Sequence, residues 1–234
     1  MISNNLFSLK GKTALVTGGS TGIGLMATVG LVSAGAKVFI VSRKLENCQN
    51  AAEELNNYDF EGEVIPFRGD LSSETGISDI TDEIYAQNSE LHILVNNAGR
   101  TWGSELSRFP YEAWAKVLNL NVSAIFYLTQ KLVPLLAASS KSDFPSRVVN
   151  IGSVMGEVPM GDGAYSYAAS KSAVHHITRI LAKELAERNI TVNALSPGPF
   201  QSNMTDFAIG DSKGTMRVSK RVPLKRIGHT DDIA

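Results

Sequence analysis

Short apolar runs alternate with longer amphipathic stretches along the chain. Successive apolar positions fall in 13–17, 37–41, 63–68, 93–96, 147–151 and 191–195, runs rich in Val and Ile. Neighbouring side chains of a strand point to opposite faces, so these runs predict strands covered on both sides. Helices are predicted near 22–34, 44–57, 75–88, 112–137 and 165–188. Alternation of this kind implies an α/β architecture, a doubly wound parallel sheet built with right-handed crossovers. No internal repeat, low-complexity tract or linker interrupts it, so residues 1–234 read as a single domain.

The helix predicted at 165–188 carries an apolar stripe, Val174, Ile177, Leu181 and Leu185, with Lys183, Glu184, Glu187 and Arg188 largely elsewhere. Burying that stripe would fix the helix in one rotation. Tyr167 and Lys171, four residues apart in Tyr-Ala-Ala-Ser-Lys, would then share one face. With Ser153, at the end of the fifth apolar run, they offer a phenol to donate a proton, an ammonium to make it more acidic, and a hydroxyl to hold a carbonyl oxygen. Taken alone, such a pair also describes a solvated Lys beside a half-buried Tyr.

The first quarter of the chain changes the balance. Thr13-Ala-Leu-Val-Thr17 runs into Gly18-Gly19-Ser20-Thr21-Gly22-Ile23-Gly24, an apolar strand, a glycine turn and a helix opening in that order. Gly18 would allow the tight turn, Gly22 would let backbone N–H groups approach a pyrophosphate, and Gly24 would let the helix pack closely on the sheet. In this context the glycines read as a Rossmann-like dinucleotide site.

The glycine spacing resembles the Thr-Gly-x-x-x-Gly-x-Gly of the short-chain dehydrogenase/reductase family. Further matches follow in that family's order: Asp70-Leu71, Asn96-Asn97-Ala98-Gly99, Asn121 in Asn-Val-Ser-Ala-Ile-Phe, Ser153, Tyr167 with Lys171, and Pro197-Gly198. The likeness runs from Leu9 to the end and is greatest to reductases of the 3-oxoacyl and rhamnolipid-pathway kind. It implies catalytic roles for Asn121, Ser153, Tyr167 and Lys171: a proton relay, an oxygen-holding hydroxyl, a proton donor, and a cation that bonds the nicotinamide ribose and lowers the phenol's pKa. It also implies cofactor contacts from Gly18, Ser20, Thr21, Gly22, Ile23 and Gly24 around the phosphates, and from Asp70, Leu71, Asn97, Ala98 and Gly99 around the adenosine. Pro197, Gly198 and Ser202 would meet the nicotinamide, with Ser202 standing where relatives carry a Thr. Asn119 and Tyr165 compete with Asn121 and Tyr167, but motif position and spacing favour the latter pair. Asp70 also reads as a helix cap.

Local charge points to NADP(H). NAD-selective relatives close the second strand with an acidic residue, whereas Val41 is followed here by Ser42, Arg43 and Lys44. Arg43 could fork onto a 2′-phosphate, although Arg43 and Lys44 also read as solvated charges at a helix start. The expected activity is hydride transfer between NADP(H) and a small-molecule carbonyl or secondary alcohol, as in a ketone or 3-oxoacyl reductase; the alternatives are an NAD-dependent alcohol dehydrogenase of the same family and a non-catalytic NADP-binding, redox-sensing scaffold.

Composition agrees. With 43% hydrophobic and 19% charged residues the chain can bury a full core, and a net charge of −1 gives no electrostatic reason to expect nucleic acid or a membrane surface as partner. Cys48 is the single cysteine, which fits a reducing compartment, and no metal site is expected. No run near 18 apolar residues appears, and the opening Met-Ile-Ser-Asn-Asn-Leu-Phe lacks the features of a signal peptide, so a soluble cytoplasmic protein is expected. The family likeness implies a homodimer or homotetramer. It also implies a further C-terminal strand that this sequence, ending at Ala234, lacks. Residues 197–228 mix Phe200, Met204, Phe207, Ile209, Met216 and Val218 with Gly, Ser, Thr and Asp without a sustained period, and read as a lid.

Overall fold

The computed structural model describes residues 7–160 and 163–234, with only the backbone of Phe207 and Ala208. The opening segment considered above therefore lies outside the described residues except for Phe7, as does the side chain of Phe207. Six parallel strands form one sheet in the order β3-β2-β1-β4-β5-β6: β1 Thr13–Thr17, β2 Lys37–Ser42, β3 Glu63–Arg68, β4 Ile93–Asn96, β5 Ser146–Ile151 and β6 Ile190–Leu195. Each expected run is a strand, with ends displaced by at most one residue. β3 and β6 are the two edges.

Alternation along the strands divides the core. Leu15, Phe39, Leu94, Val148 and Val192 face one layer, where they meet Ile80 and Ile84 of α3 (Glu74–Gln87), Leu128, Leu132 and Leu136 of α5 (Ala124–Ser139), and Leu181 and Leu185 of α6 (Tyr165–Leu185). Ala14, Val16, Val38, Ile40, Ile93 and Val95 face the other, against Val32 of α1 (Gly22–Ser33) and Cys48, Ala52 and Leu55 of α2 (Leu45–Asn56). β1 pairs β2 on one side and β4 on the other, and the connections that leave β1 toward β2 and β4 toward β5 run in opposite directions. That divergence opens a crevice at the C-terminal ends of the strands, the usual place for a ligand in such sheets.

Two expected elements differ. The single helix predicted over 112–137 is α4 (Tyr111–Leu118), a π turn (Asn119–Ser123) and α5. The wider turn occurs where Asn121 is fully buried and its amide is held by another segment, so side-chain bonding overrides helical regularity. The span Tyr111–Ser139 is long and apolar enough to cross a membrane by length and composition, yet its inner face supplies much of the core between α3, α6 and the sheet. The second difference lies in 197–228, which folds locally into α7 (Asp206–Ile209) and α8 (Ser212–Ser219). Asp211 starts α8 by accepting the Gly214 N–H at 2.6 Å, a cap on a helix too short to show a period.

Candidate active site

The glycine turn is shaped by what surrounds it. Gly18 and Gly22 have φ of 65° and 54°, a region that only glycine occupies without strain. A Cβ on Gly24 would stand 2.2 Å from the Gly18 carbonyl oxygen, so the helix can approach the turn only with hydrogen there. Thr28 donates to the Gly19 and Gly24 carbonyls, tying the turn to α1. On the neighbouring strand, Asn97 donates its amide to the Thr17 and Gly18 carbonyls at 2.9 and 3.2 Å, while the Thr17 hydroxyl accepts from the Asn97 and Ala98 N–H groups. The ends of β1 and β4 are thereby locked at the crevice.

At the end of β2, Ser42 donates to the Lys44 carbonyl at 2.9 Å and accepts from the Cys48 thiol at 3.2 Å. Its proton is committed within the turn, leaving Arg43 as the cationic donor on this wall. Asp70 is exposed and accepts the Ser72 N–H at 3.0 Å, while Ser73 caps α3. The Ser72 amide is the main influence holding the Asp70 carboxyl below its ordinary range, helped by the Arg43 and Arg68 charges.

The far wall comes from α6 and the end of β5. Tyr167 and Lys171 lie on one face, with the ammonium 5.5 Å from the phenol ring centroid. Lys171 donates to the Ile151 carbonyl at 2.6 Å and is only 4% exposed, and burial pulls its pKa down to about 8. Burial pushes the Tyr167 phenol up, with the Ser153 hydroxyl drawing it partly back. The Lys171 ammonium is turned to the Ile151 carbonyl, and burial sets the direction for the phenol. Asn121 accepts the Arg100 N–H and donates to the Arg100 carbonyl and the Ser170 hydroxyl, each at 2.9 Å. Ser170 in turn donates to the Tyr167 carbonyl at 2.7 Å, so Asn121 braces the first turn of α6.

These walls enclose a cleft of about 410 Å³ running from Arg43 past the glycine turn to Ser153, Tyr167 and Lys171. The bare backbone at Gly18 and Gly22, the helix opening behind it and the cation at Arg43 fit a phosphorylated dinucleotide. The short chain dehydrogenase family model matches residues 12–211. The chain belongs to the short-chain dehydrogenase family. Like other members of it, the protein is an oxidoreductase.

This dehydrogenase is 44% identical over 228 residues to the rhamnolipids biosynthesis 3-oxoacyl-[acyl-carrier-protein] reductase of Pseudomonas aeruginosa, a match covering 97% of this chain and 88% of the relative. Against the 3-oxoacyl-[acyl-carrier-protein] reductase FabG of Thermotoga maritima the identity is 33%, with the same coverage of 97% and 88%. The solved Pseudomonas aeruginosa RhlG/NADP active-site complex superimposes with a TM-score of 0.93 at 43% identity, covering 99% of this chain and 89% of that one.

Most residues singled out from the sequence line the dehydrogenase's cleft: Gly18, Thr21, Gly22 and Ile23 at the turn, Ser42 and Arg43 beyond β2, Leu71, and Asn97, Ala98 and Gly99 after β4. Ser153, Tyr167, Lys171, Pro197, Gly198 and Ser202 complete that set. Ser20, Gly24, Asp70 and Asn121 do not line it. Gly24 and Asn121 support the walls from behind, and Ser20 is buried. Asn119, the competitor of Asn121, donates to the Ser72 carbonyl, and Tyr165 packs edge-on to Phe109. Missed altogether were Thr205, whose hydroxyl meets the Phe200 carbonyl and Ser202, and His175, which accepts the Ser153 N–H. His175 had a signal: it follows Val174 on the inner side of a helix whose rotation the apolar stripe already set.

Proposed function

We propose that residues 1–234 form one domain of a soluble, cytosolic NADPH-dependent reductase of a ketone or 3-oxoacyl thioester. The observation that carries this reading is the convergence of Tyr167, Ser153 and Lys171 in the cleft that also holds the glycine turn and Arg43. The names of the two 3-oxoacyl reductase relatives support the substrate class, and the NADP-bound structural neighbour supports the cofactor.

Gly18, Ser20, Thr21, Gly22, Ile23 and Gly24 would form the phosphate turn, with Arg43, steadied by Ser42, meeting the 2′-phosphate. Asp70, Leu71, Asn97, Ala98 and Gly99 would border the adenosine, and Pro197, Gly198 and Ser202 the nicotinamide end. When bound, the reduced nicotinamide would supply a hydride to the substrate carbonyl carbon. Ser153 holds the carbonyl oxygen, and Tyr167 delivers its phenolic proton to that oxygen. Lys171 would bond the cofactor ribose, and its positive charge favours the phenolate left behind. Asn121 keeps the base of α6 in place for proton resupply. Exposed Tyr127 on α5 and Ile180 on α6 support a homodimer or homotetramer through these helices.

Absorbance loss of NADPH against a panel of ketones and 3-oxoacyl thioesters tests the reading. Turnover with NADPH exceeding that with NADH is expected. Tight NADPH binding without turnover on any member of the panel would replace the reductase with a binding scaffold.

A further inference from the structure

We propose that His175 is a positioning residue that sets the oxygen-holding Ser153 from behind, through its backbone. This inference rests on the role given to Ser153 above. β5 pairs with β4 only as far as Asn150 and with β6 only as far as Ile151. Beyond those pairs, the Gly152 N–H reaches the Leu195 carbonyl at 2.7 Å and the Val154 N–H reaches the Pro197 carbonyl at 3.2 Å. The Ser153 N–H between them has no such carbonyl among the described residues. His175 Nε2 accepts it at 3.3 Å.

The slot for this ring is built into the sequence. A Cβ on Gly152 would fall 2.1 Å from Nε2, and one on Gly156 would fall 3.0 Å from Cε1. The imidazole is only 6% exposed and also contacts Ser196 Oγ at 3.1 Å, the residue just before Pro197. One ring thus joins α6, which carries Tyr167 and Lys171, to the chain at Ser153 and to the segment entering Pro197-Gly198.

Donor chemistry fixes the ring's protonation pattern. A backbone N–H can only donate, so Nε2 must carry a lone pair, and a neutral ring then keeps its proton on Nδ1. Glu157 Oε1, 3.3 Å from Nδ1, is the acceptor that a proton there faces, although it stands outside hydrogen-bond alignment among the described residues. The Ser196 hydroxyl lies 3.1 Å from Nε2 and 3.3 Å from the same carboxylate oxygen, and its single proton can serve only one of these acceptors. In the opposite tautomer the Nε2 proton would face the Ser153 proton, and a buried donor would lose its acceptor.

Imidazole ¹⁵N spectra of the full protein without ligand test the tautomer independently of any activity. A protonated Nδ1 and unprotonated Nε2 are expected for His175; the reverse assignment overturns the proposal. Kinetically, His175→Leu should lower kcat by about tenfold or more while leaving the KM for NADPH nearly unchanged, because it disturbs Ser153 and not the phosphate turn. His175→Gln, which can place an amide oxygen at the Nε2 position, should recover most of that loss. Wild-type kcat in His175→Leu, or a folded His175→Gln as slow as the Leu variant, overturns it. If the wild-type protein turns over no carbonyl, the functional reading fails while the ¹⁵N result still decides the tautomer.

Discussion

Lys171 directs its ammonium to the Ile151 carbonyl oxygen, 2.6 Å away, and holds this contact almost wholly out of water. Burial favours the neutral amine, so the pKa is about 8. The ammonium is present below that value and is lost above it, whereas burial keeps the Tyr167 phenol protonated beyond its ordinary range. The first prediction follows from the free enzyme, whose ionisations kcat/KM reports. At limiting NADPH, kcat/KM for carbonyl reduction should hold at neutral pH and fall as pH rises past about 8. Lys171→Arg stays charged and should be slower but without that alkaline fall. A wild-type profile flat to pH ~10 contradicts the assignment.

Removing the proton donor while keeping the ring isolates its role. Tyr167→Phe should lower turnover by about a thousandfold, within the range of general acid catalysis, while NADPH binding measured by fluorescence stays unchanged. Wild-type-like turnover in this variant would sink the mechanism.

The strands and the glycine turn were readable because each depends on local requirements: apolar neighbours at 13–17 or 93–96, and bare backbone at Gly18 and Gly22. Tyr167 and Lys171 were readable because a helix puts residues four apart on one face. What the sequence hid depends on contacts between distant segments. Asn121 breaks a helix to hold Arg100, 21 residues away in the chain, and no local pattern announces that. Asp70 left adenine partner and helix cap open, and the observed cap is Ser73. The direction of Lys171 depends on Ile151, and the function of His175 on a strand end whose neighbours stop short. Spacing can say that two residues share a face, but it cannot say which atom each one meets.

Cofactor choice is tested at Arg43. Ser42 has committed its proton to the Lys44 carbonyl, so Arg43 is the side chain on this wall that can donate to a 2′-phosphate. Arg43→Asp should raise the KM for NADPH by about tenfold or more, the scale of one charge-assisted hydrogen bond, and change that for NADH much less. Equal changes for both cofactors would mean that Arg43 does not reach the phosphate.

Stability at mildly acidic pH depends on His92, at the opposite end of the sheet. Its Nδ1 accepts the Thr13 N–H at 3.1 Å where β1 begins, and the ring is 4% exposed. Burial lowers its pKa, the Lys12 and Lys141 charges add to this, and Glu90 opposes it. A depressed folded-state value means that the unfolded chain binds the proton first. The contribution is therefore fully present above the unfolded value of ~6.5 and is lost as pH falls through the folded one. The wild-type Tm should decline over that interval, and His92→Gln should show a shallower decline. Parallel Tm curves for the two proteins would remove His92 from the account.

The last prediction concerns the segment between Pro199 and Gly228, whose two ends are fastened together. The Gly228 N–H donates to the Pro199 carbonyl at 2.9 Å, and a Cβ on Gly228 would strike the Phe200 ring at 2.2 Å. From this base, Ser202, Asn203, Met204 and Thr205 face the cleft, while Met216 and Leu224 are 62% and 75% exposed. A segment fixed at its base, lining the site with one end and presenting apolar side chains to water at the other, is suited to fold over a bound carbonyl substrate. Lys213, Arg217, Lys220 and Lys225 supply trypsin sites along its outer part. Trypsin should cut there readily in the free protein and several-fold more slowly with NADPH and a non-reactive substrate analogue bound. Cleavage at the same rate in both states would remove the lid.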